Sequence, residues 1–187
     1  MAHGLGALRF QCTRCGNCCR RFRVPLTGAD LLRLTRATGR DPAKIVDWLD
    51  PEAVDMTGEP ETFVILPEGR RLMVLAWQAD GCAFLADNAC SVHPQRPMSC
   101  RAYPFHAQLG KRKGIRRLQL LDLSNCEHTW NGSVAAREVS QVAQTQRAEL
   151  VRYADLVQDF NRVQRHLQRL GKPVQSRERF YQRLFDA

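Results

Sequence analysis

Eight cysteines provide the clearest chemistry in this 187-residue chain. Four of them lie within eight residues, at Cys12, Cys15, Cys18 and Cys19. Two thiolates separated by two residues can turn back onto one metal ion, and Gly16 relieves the turn between them sterically. Adjacent α-carbons point Cys18 and Cys19 in different directions, so we expect at least one of the four to serve another centre. The alternative is a group of buried or reactive thiols beside a basic surface, but ordinary core usage of cysteine is far less dense.

The second set of cysteines lies in an ordered series of short motifs. Cys82 begins C-x-F-L, Cys90 begins C-x-V-H-x-x-R-P, Cys100 begins C-R-x-Y-P-F, and Cys126 follows. Together with the C-x-x-C-x-x-C-C run, this order resembles the YkgJ-type cysteine-cluster family, described as a zinc- or iron-chelating domain. The resemblance extends from Cys12 to about Cys126. It implies that the metal ligands are Cys12, Cys15, Cys18, Cys19, Cys82, Cys90, Cys100 and Cys126.

Thiolate ligands favour zinc, iron-sulfur clusters or Cu(I) and exclude Mg²⁺ and Ca²⁺ as natural occupants. Eight thiolates could close two zinc sites, or hold one four-cysteine cluster plus a second site. The C-x-x-C-x-x-C spacing resembles the start of a bacterial ferredoxin pattern, although the C-x-x-x-C-P part is absent. Flagellin lysine N-methylases carry a similar cysteine pattern and are associated with an iron-sulfur cluster. We therefore expect an iron-sulfur cluster such as 4Fe-4S in preference to zinc, in a redox role or as an accessory to a modification enzyme.

Three prolines, Pro94, Pro97 and Pro104, predict a stiff and irregular loop that holds Cys90 and Cys100 without a regular helix or strand. Arg96 and Arg101 are candidates to donate hydrogen bonds to sulfur or to nearby carbonyls, with a salt bridge as the equal alternative. His93 could bind a metal. Because eight thiols are already present, we expect it to lie in the loop beside the metal instead.

The positive charge of the chain indicates a second class of function. The formal net charge is +9, and a basic run lies at Lys111, Arg112, Lys113, Arg116 and Arg117. The alternative function is therefore a structural-zinc module that binds nucleic acid or a protein partner. The basic run lacks interleaved aromatic residues, so we expect nucleic-acid binding to be weak and non-specific at most. No Ser-His-Asp arrangement, phosphate loop or HExxH motif specifies a reaction, and no catalytic residue is assigned.

The compartment follows from two sequence features. The first ten residues carry no secretory signal, and the strongest apolar run, Leu72 to Trp77, is six residues long. We therefore expect a cytoplasmic protein with reduced thiols and no membrane insertion.

The helices and strands predicted around the cysteines indicate an α+β fold. Thr27 is predicted to cap a helix that Gly39 ends, and a second short helix is predicted from Asp41 and Pro42 to Pro51, with Ile45, Val46, Trp48 and Leu49 facing inward. A hairpin is predicted from the runs 62–66 and 71–77, and the run 116–123 could join it.

The C-terminal third is predicted to be helical. Apolar residues at steps of three and four from Ser133 onward indicate one long amphipathic helix that ends at Gly171 and Pro173. A last helical segment is predicted from Ser176 through Leu184. We interpret the apolar stripe as a packed core face in preference to a coiled-coil seam. The predicted domains are a cysteine-cluster domain over 1–132 and a helical extension over 133–187 packed on it.

Overall fold

The chain was analysed as a computed structural model that describes residues 10–54, 61–110, 114–121, 126–127, 129, 131 and 134–186. It forms helices and short antiparallel strand pairs, which confirms the predicted α+β class. The described residues divide into two compact units. The cysteine unit is drawn from 1–22 and 78–147, and the helix-sheet unit is drawn from 23–77 and 148–187.

The α-helices are, in chain order, α1 (Asn17–Arg21), α2 (Gly28–Thr38), α3 (Met98–Ala102), α4 (Ala136–Arg169) and α5 (Arg177–Phe185). The strands are β1 (Val46–Leu49), β2 (Val64–Leu66), β3 (Gly69–Leu75), β4 (Trp77–Gln78), β5 (Gly81–Cys82), β6 (Leu85–Ala86), β7 (Ala89–Cys90), β8 (Phe105–Leu109) and β9 (Ile115–Leu120). Single 3₁₀ turns occupy Pro42–Lys44, Pro51–Ala53 and His93–Gln95.

A three-stranded antiparallel sheet in the order β1-β3-β2 forms the centre of the helix-sheet unit. The predicted hairpin is confirmed, because β2 and β3 pair with Val64 opposite Arg71 and Leu66 opposite Gly69. Strand β3 is apolar and buried from Leu72 to Leu75. It therefore provides the central strand of this core.

The predicted second helix is wrong. Asp41 does cap a turn, since its side chain accepts a hydrogen bond from the Ala43 amide at 2.8 Å, but that turn is a single 3₁₀ turn. The residues that follow form strand β1, with Val46 opposite Leu75 and Leu49 opposite Leu72. The cap and proline signals act only on the first turn. Pairing with the apolar strand β3 then decides the conformation of a β-branched segment.

The helices of the helix-sheet unit confirm the predicted local signals. Thr27 and Asp30 form a capping box at the start of α2, and Gly39 ends that helix with a φ of 63°. Helix α5 follows Ser176 as predicted, and its Phe180 is fully buried against Trp48 and Phe160, with ring centroids 5.8 and 4.9 Å away.

Helix α4 confirms the predicted long helix. Its apolar stripe is largely a core face, because Val139, Tyr153, Val157 and Phe160 are all buried. Two members of the predicted stripe remain on the surface, Val163 and Leu170, at 46% and 54% exposure. Within the described residues, no helix is both long enough and apolar enough to cross a membrane.

The described part of the run 116–123 does not join the sheet of the helix-sheet unit. That part forms β9, which pairs with β8, placing Phe105 opposite Leu120. Closing this local hairpin costs less chain entropy than a pairing across more than forty residues. Phe105 of this hairpin joins Phe10 and Val139 in a small buried apolar cluster.

Candidate metal centre

The C-x-x-C-x-x-C-C segment is held by a tight turn at Gly16. This glycine has a φ of 73° and precedes α1, the short helix that carries Cys18 and Cys19. A β-carbon at Gly16 would lie 2.6 Å from the Asn88 carbonyl oxygen. The turn is thus packed directly against the segment that carries Cys90.

A second glycine brings Cys82 to the same place. Gly81 has a φ of 140°, and a β-carbon there would lie 2.6 Å from the carbonyl oxygen of Cys19. The guanidinium of Arg20 also donates to the side-chain oxygen of Asn88. Since the glycines allow two backbones to touch, α1 and the residues 81–90 form one packed group.

Four sulfurs meet in this group, and we call Cys18, Cys19, Cys82 and Cys90 the inner thiols. The Cys19 thiol is hydrogen-bonded to the sulfurs of Cys18 and Cys90. Cys82 is buried and close enough to Cys90 and Cys18 for their negative charges to act on it. The contacts join residues that lie more than sixty positions apart in the sequence.

The inner thiols are electrostatically unequal. The hydrogen bond from Cys19 lowers the pKa of Cys18 to about 7, against the opposing effect of burial. The pKa of Cys90 is lowered to about 6 by the hydrogen bond from Cys19, by the Val92 amide and by the positive charge of Arg96. The same hydrogen bonds hold the pKa of Cys19 far above its usual range. Two thiolates therefore form readily and share the proton of a third thiol.

Three further sulfurs form a second group, and we call Cys12, Cys15 and Cys126 the outer thiols. An antiparallel bridge joins Gln11 to Thr129, with N–H to carbonyl distances of 2.9 and 3.2 Å. Cys126 is hydrogen-bonded to Cys15. Its pKa rises to about 11, because of burial first and then the negative charges of Cys15 and Cys12.

Backbone amides point at sulfurs in both groups with the same local spacing. The Arg14 amide donates to the Cys12 sulfur at 3.4 Å, the Phe84 amide donates to Cys82, and the Val92 amide donates to Cys90. In each case the donor lies two residues after the cysteine. An amide donor stabilises the charged form of sulfur and helps to lower the pKa of Cys90, whereas at Cys82 burial outweighs the amide and raises the pKa.

The proline-rich stretch is more regular than the sequence predicts. Cys90 lies in β7, paired with Leu85, and Cys100 lies in α3. The expected loop without helix or strand is therefore wrong. Pro97 occupies the cap position of α3, where a missing N–H costs nothing, so this proline begins a helical turn instead of preventing one.

The basic residues of this stretch lie around His93. Arg101 donates hydrogen bonds to the carbonyl oxygens of Arg96 and Pro94. Hydrogen bonding to nearby carbonyls is one of the two roles predicted for it, the other being a salt bridge. Arg96 contacts a ring nitrogen of His93. Burial, followed by the charges of Arg96, Arg14 and Arg101, lowers the pKa of His93. The ring thus faces guanidinium groups, which offset the negative charge of nearby thiolates.

The donors in both groups are thiols, the donor type that selects zinc, iron-sulfur clusters or Cu(I). Within the described residues, no three Cys, His, Asp or Glu side chains already stand in an arrangement that could hold a metal ion. All eight cysteines are free thiols, and the contacts described above join seven of them. Sulfur donors with amide hydrogen bonds fit zinc or iron chemically, and ligation would replace the S–H protons that now join the sulfurs.

The structure describes the predicted basic run only in part. Arg116 and Arg117 are exposed on β9, whereas Lys111, Arg112 and Lys113 lie outside the described residues. The sequence did not identify Gly81 and Asn88 as parts of the site. The only signal for Gly81 was its position next to a cysteine.

A family model covers the cysteine-rich region of the chain. The model of the family described as "CxxCxxCC: Putative zinc- or iron-chelating domain" matches residues 11–127 of the chain. This range contains all eight cysteines. No curated protein and no solved structure matched the chain.

Proposed function

Because the chain belongs to the CxxCxxCC family of cysteine-cluster domains, we propose that it binds iron through its eight cysteines, as an iron-sulfur cluster in preference to zinc. The ligands proposed are Cys12, Cys15, Cys18, Cys19, Cys82, Cys90, Cys100 and Cys126.

The observation that carries this proposal is the meeting of distant thiols. Sulfurs from residues 12–19, 82–90 and 126 lie in hydrogen-bonded or electrostatic contact within the cysteine unit. Cys18 and Cys90 ionise near neutral pH, and a cation bound among the gathered sulfurs would offset the repulsion between their negative charges. A thiolate-bound metal supplies that cation.

The preference for an iron-sulfur cluster over zinc comes from the adjacent cysteines Cys18 and Cys19. Cys18 and Cys19 both belong to the inner thiols, and neighbouring residues converge on one tetrahedral ion only with difficulty. A four-iron cluster gives each thiolate its own iron, so adjacent cysteines need not share one metal atom. When bound, such a cluster supplies one-electron transfer, which supports a redox role or a role as accessory to a modification enzyme.

The environment around the sulfurs supports either metal. The amides of Arg14, Phe84 and Val92 donate to cysteine sulfurs, and Arg96 places positive charge beside Cys90. Such donors orient the ligands and offset their charge. We further propose the cytoplasm as the compartment, because reduced thiols persist there.

Metal analysis of protein purified without oxygen tests the proposal. We expect iron and acid-labile sulfide, with brown protein that absorbs near ~400 nm through charge transfer from sulfur to iron. Colourless protein with zinc would replace the cluster by the zinc alternative. Less than about one equivalent of any metal per chain would overturn metal binding itself.

A further inference from the structure

We propose that the cysteine unit holds two separate metal centres, one on the inner thiols and one on the outer thiols, and that the inner centre is the one on which the fold depends. This inference rests on the proposed metal binding. The inner ligands are Cys18, Cys19, Cys82 and Cys90. The outer ligands include Cys12, Cys15 and Cys126.

Close backbone packing fixes the spacing between the segments that carry the inner thiols. The backbone of Gly81 touches that of Cys19, and Gly16 touches Asn88, so α1 and residues 81–90 have fixed spacing. Cys82 is 7% exposed. Four thiolates also complete the ligand set of a four-iron cluster, in which each thiolate binds its own iron. This centre closes the long loop between Cys19 and Cys82.

The outer thiols are joined by a different set of contacts. The Gln11–Thr129 bridge and the hydrogen bond from the Thr13 hydroxyl to the Glu127 carbonyl hold residues 11–13 beside Glu127 and Thr129. Cys12 is exposed, and Cys15 and Cys126 are half-buried. Solvent and a competing ligand therefore reach the outer thiols more easily than the buried sulfur of Cys82.

The two groups are neighbours. The charge of Cys18 acts on Cys126, although less than the charges of Cys15 and Cys12 do. Hydrogen bonds join the Cys19 thiol to the sulfurs of Cys18 and Cys90, and a further hydrogen bond joins Cys126 to Cys15. A closed site on one metal atom uses four thiolates. The inner and outer thiols together number seven, so a single closed site would not use them all.

Release of metal to a colorimetric chelator tests this division. We expect wild-type protein to release metal in a fast phase and a slow phase. The double variant C12S/C126S should lose the fast phase, keep the slow phase and melt close to the wild-type temperature. The variant C82S/C90S should lose the slow phase and melt at a much lower temperature. Gln11→Ala is the matched control, because it alters an exposed side chain next to Cys12 and leaves every thiol in place.

The outcomes separate this inference from the proposed function. Wild-type protein without metal would overturn the proposed function. Metal-loaded wild type that releases everything in one phase, or a C12S/C126S variant that loses all metal, would overturn only the division into two centres. If C82S/C90S fails to fold, the release curve of C12S/C126S still decides between one centre and two.

Discussion

Substitution of Gly81 by alanine should separate the two cysteine segments that form the inner thiols. A β-carbon at this position would lie 2.6 Å from the Cys19 carbonyl oxygen and 3.2 Å from the Arg20 α-carbon. Both contacts are with backbone, so no side-chain rotation relieves them. The φ of 140° is also unfavourable for any residue with a β-carbon.

Two independent effects set the free energy of folding that Gly81→Ala is expected to lose. Alanine in a strained backbone region costs about 1–3 kcal/mol. The steric clash adds about 1–3 kcal/mol, the usual cost of inserting a methyl group into packed structure. The total of roughly 2–6 kcal/mol corresponds to a fall in Tm of about 2–4 °C per kcal/mol for a chain of this size.

Two other glycines provide matched controls. Gly39 has a φ of 63° with open space around its β-position, so Gly39→Ala measures backbone strain alone, about 1–2 kcal/mol. Gly114 lies in the cysteine unit with open space and no positive φ, so Gly114→Ala should be nearly neutral. Thermal melting and metal content of all three variants form the assay. We expect G81A alone to lose metal, and a G81A protein with the melting temperature and metal content of G39A would refute the reasoning.

Four further predictions concern stability and partners. Asn161→Ala should reduce the free energy of unfolding in urea by about 2–4 kcal/mol, because it leaves the Ile65 amide and the Phe63 carbonyl unpaired; a change near zero would contradict this. Removal of metal by chelation should lower Tm, since coordination closes the loop between Cys19 and Cys82, and equal melting of apo and holo protein would contradict it. Burial raises the pKa of Glu68, but its own amide and Arg177 lower that pKa overall. The Glu68–Arg177 pair therefore stabilises the fold above the unfolded pKa of about 4.3 and loses its effect as pH falls further, so the stability difference between wild type and R177Q should disappear in acid and should not grow there. Nucleic-acid binding should be sequence-independent and fall by orders of magnitude between about 50 and 200 mM salt, and a sequence preference that survives at about 200 mM would favour the zinc-module alternative.

Local signals in the sequence predicted most of the helices. The capping pair Thr27 and Asp30, the stop at Gly39 and the apolar stripe of α4 each act within a few residues. Strand β1 was missed because its conformation depends on pairing with β3, about 25 residues away. The domain boundary at residue 133 stays a prediction.

The candidate site was predictable in composition but not in grouping. The cysteine motifs predict the donor atoms and indicate the family, and the family model confirms the family. The division into inner and outer thiols depends on contacts between Cys19 and Cys90 and between Cys15 and Cys126. Spacing along the chain does not encode such distant contacts, and the assignment of all eight cysteines as ligands stays a prediction.

The X-ray absorption spectrum of anaerobically purified protein, recorded at the edge of the bound metal, tests the central claim most directly. It reports the atoms in the first coordination shell without requiring knowledge of the biological role. We predict a shell made of sulfur alone, at about 2.3 Å from the metal. A shell dominated by nitrogen or oxygen at about 2.0–2.2 Å would contradict binding through the clustered cysteines.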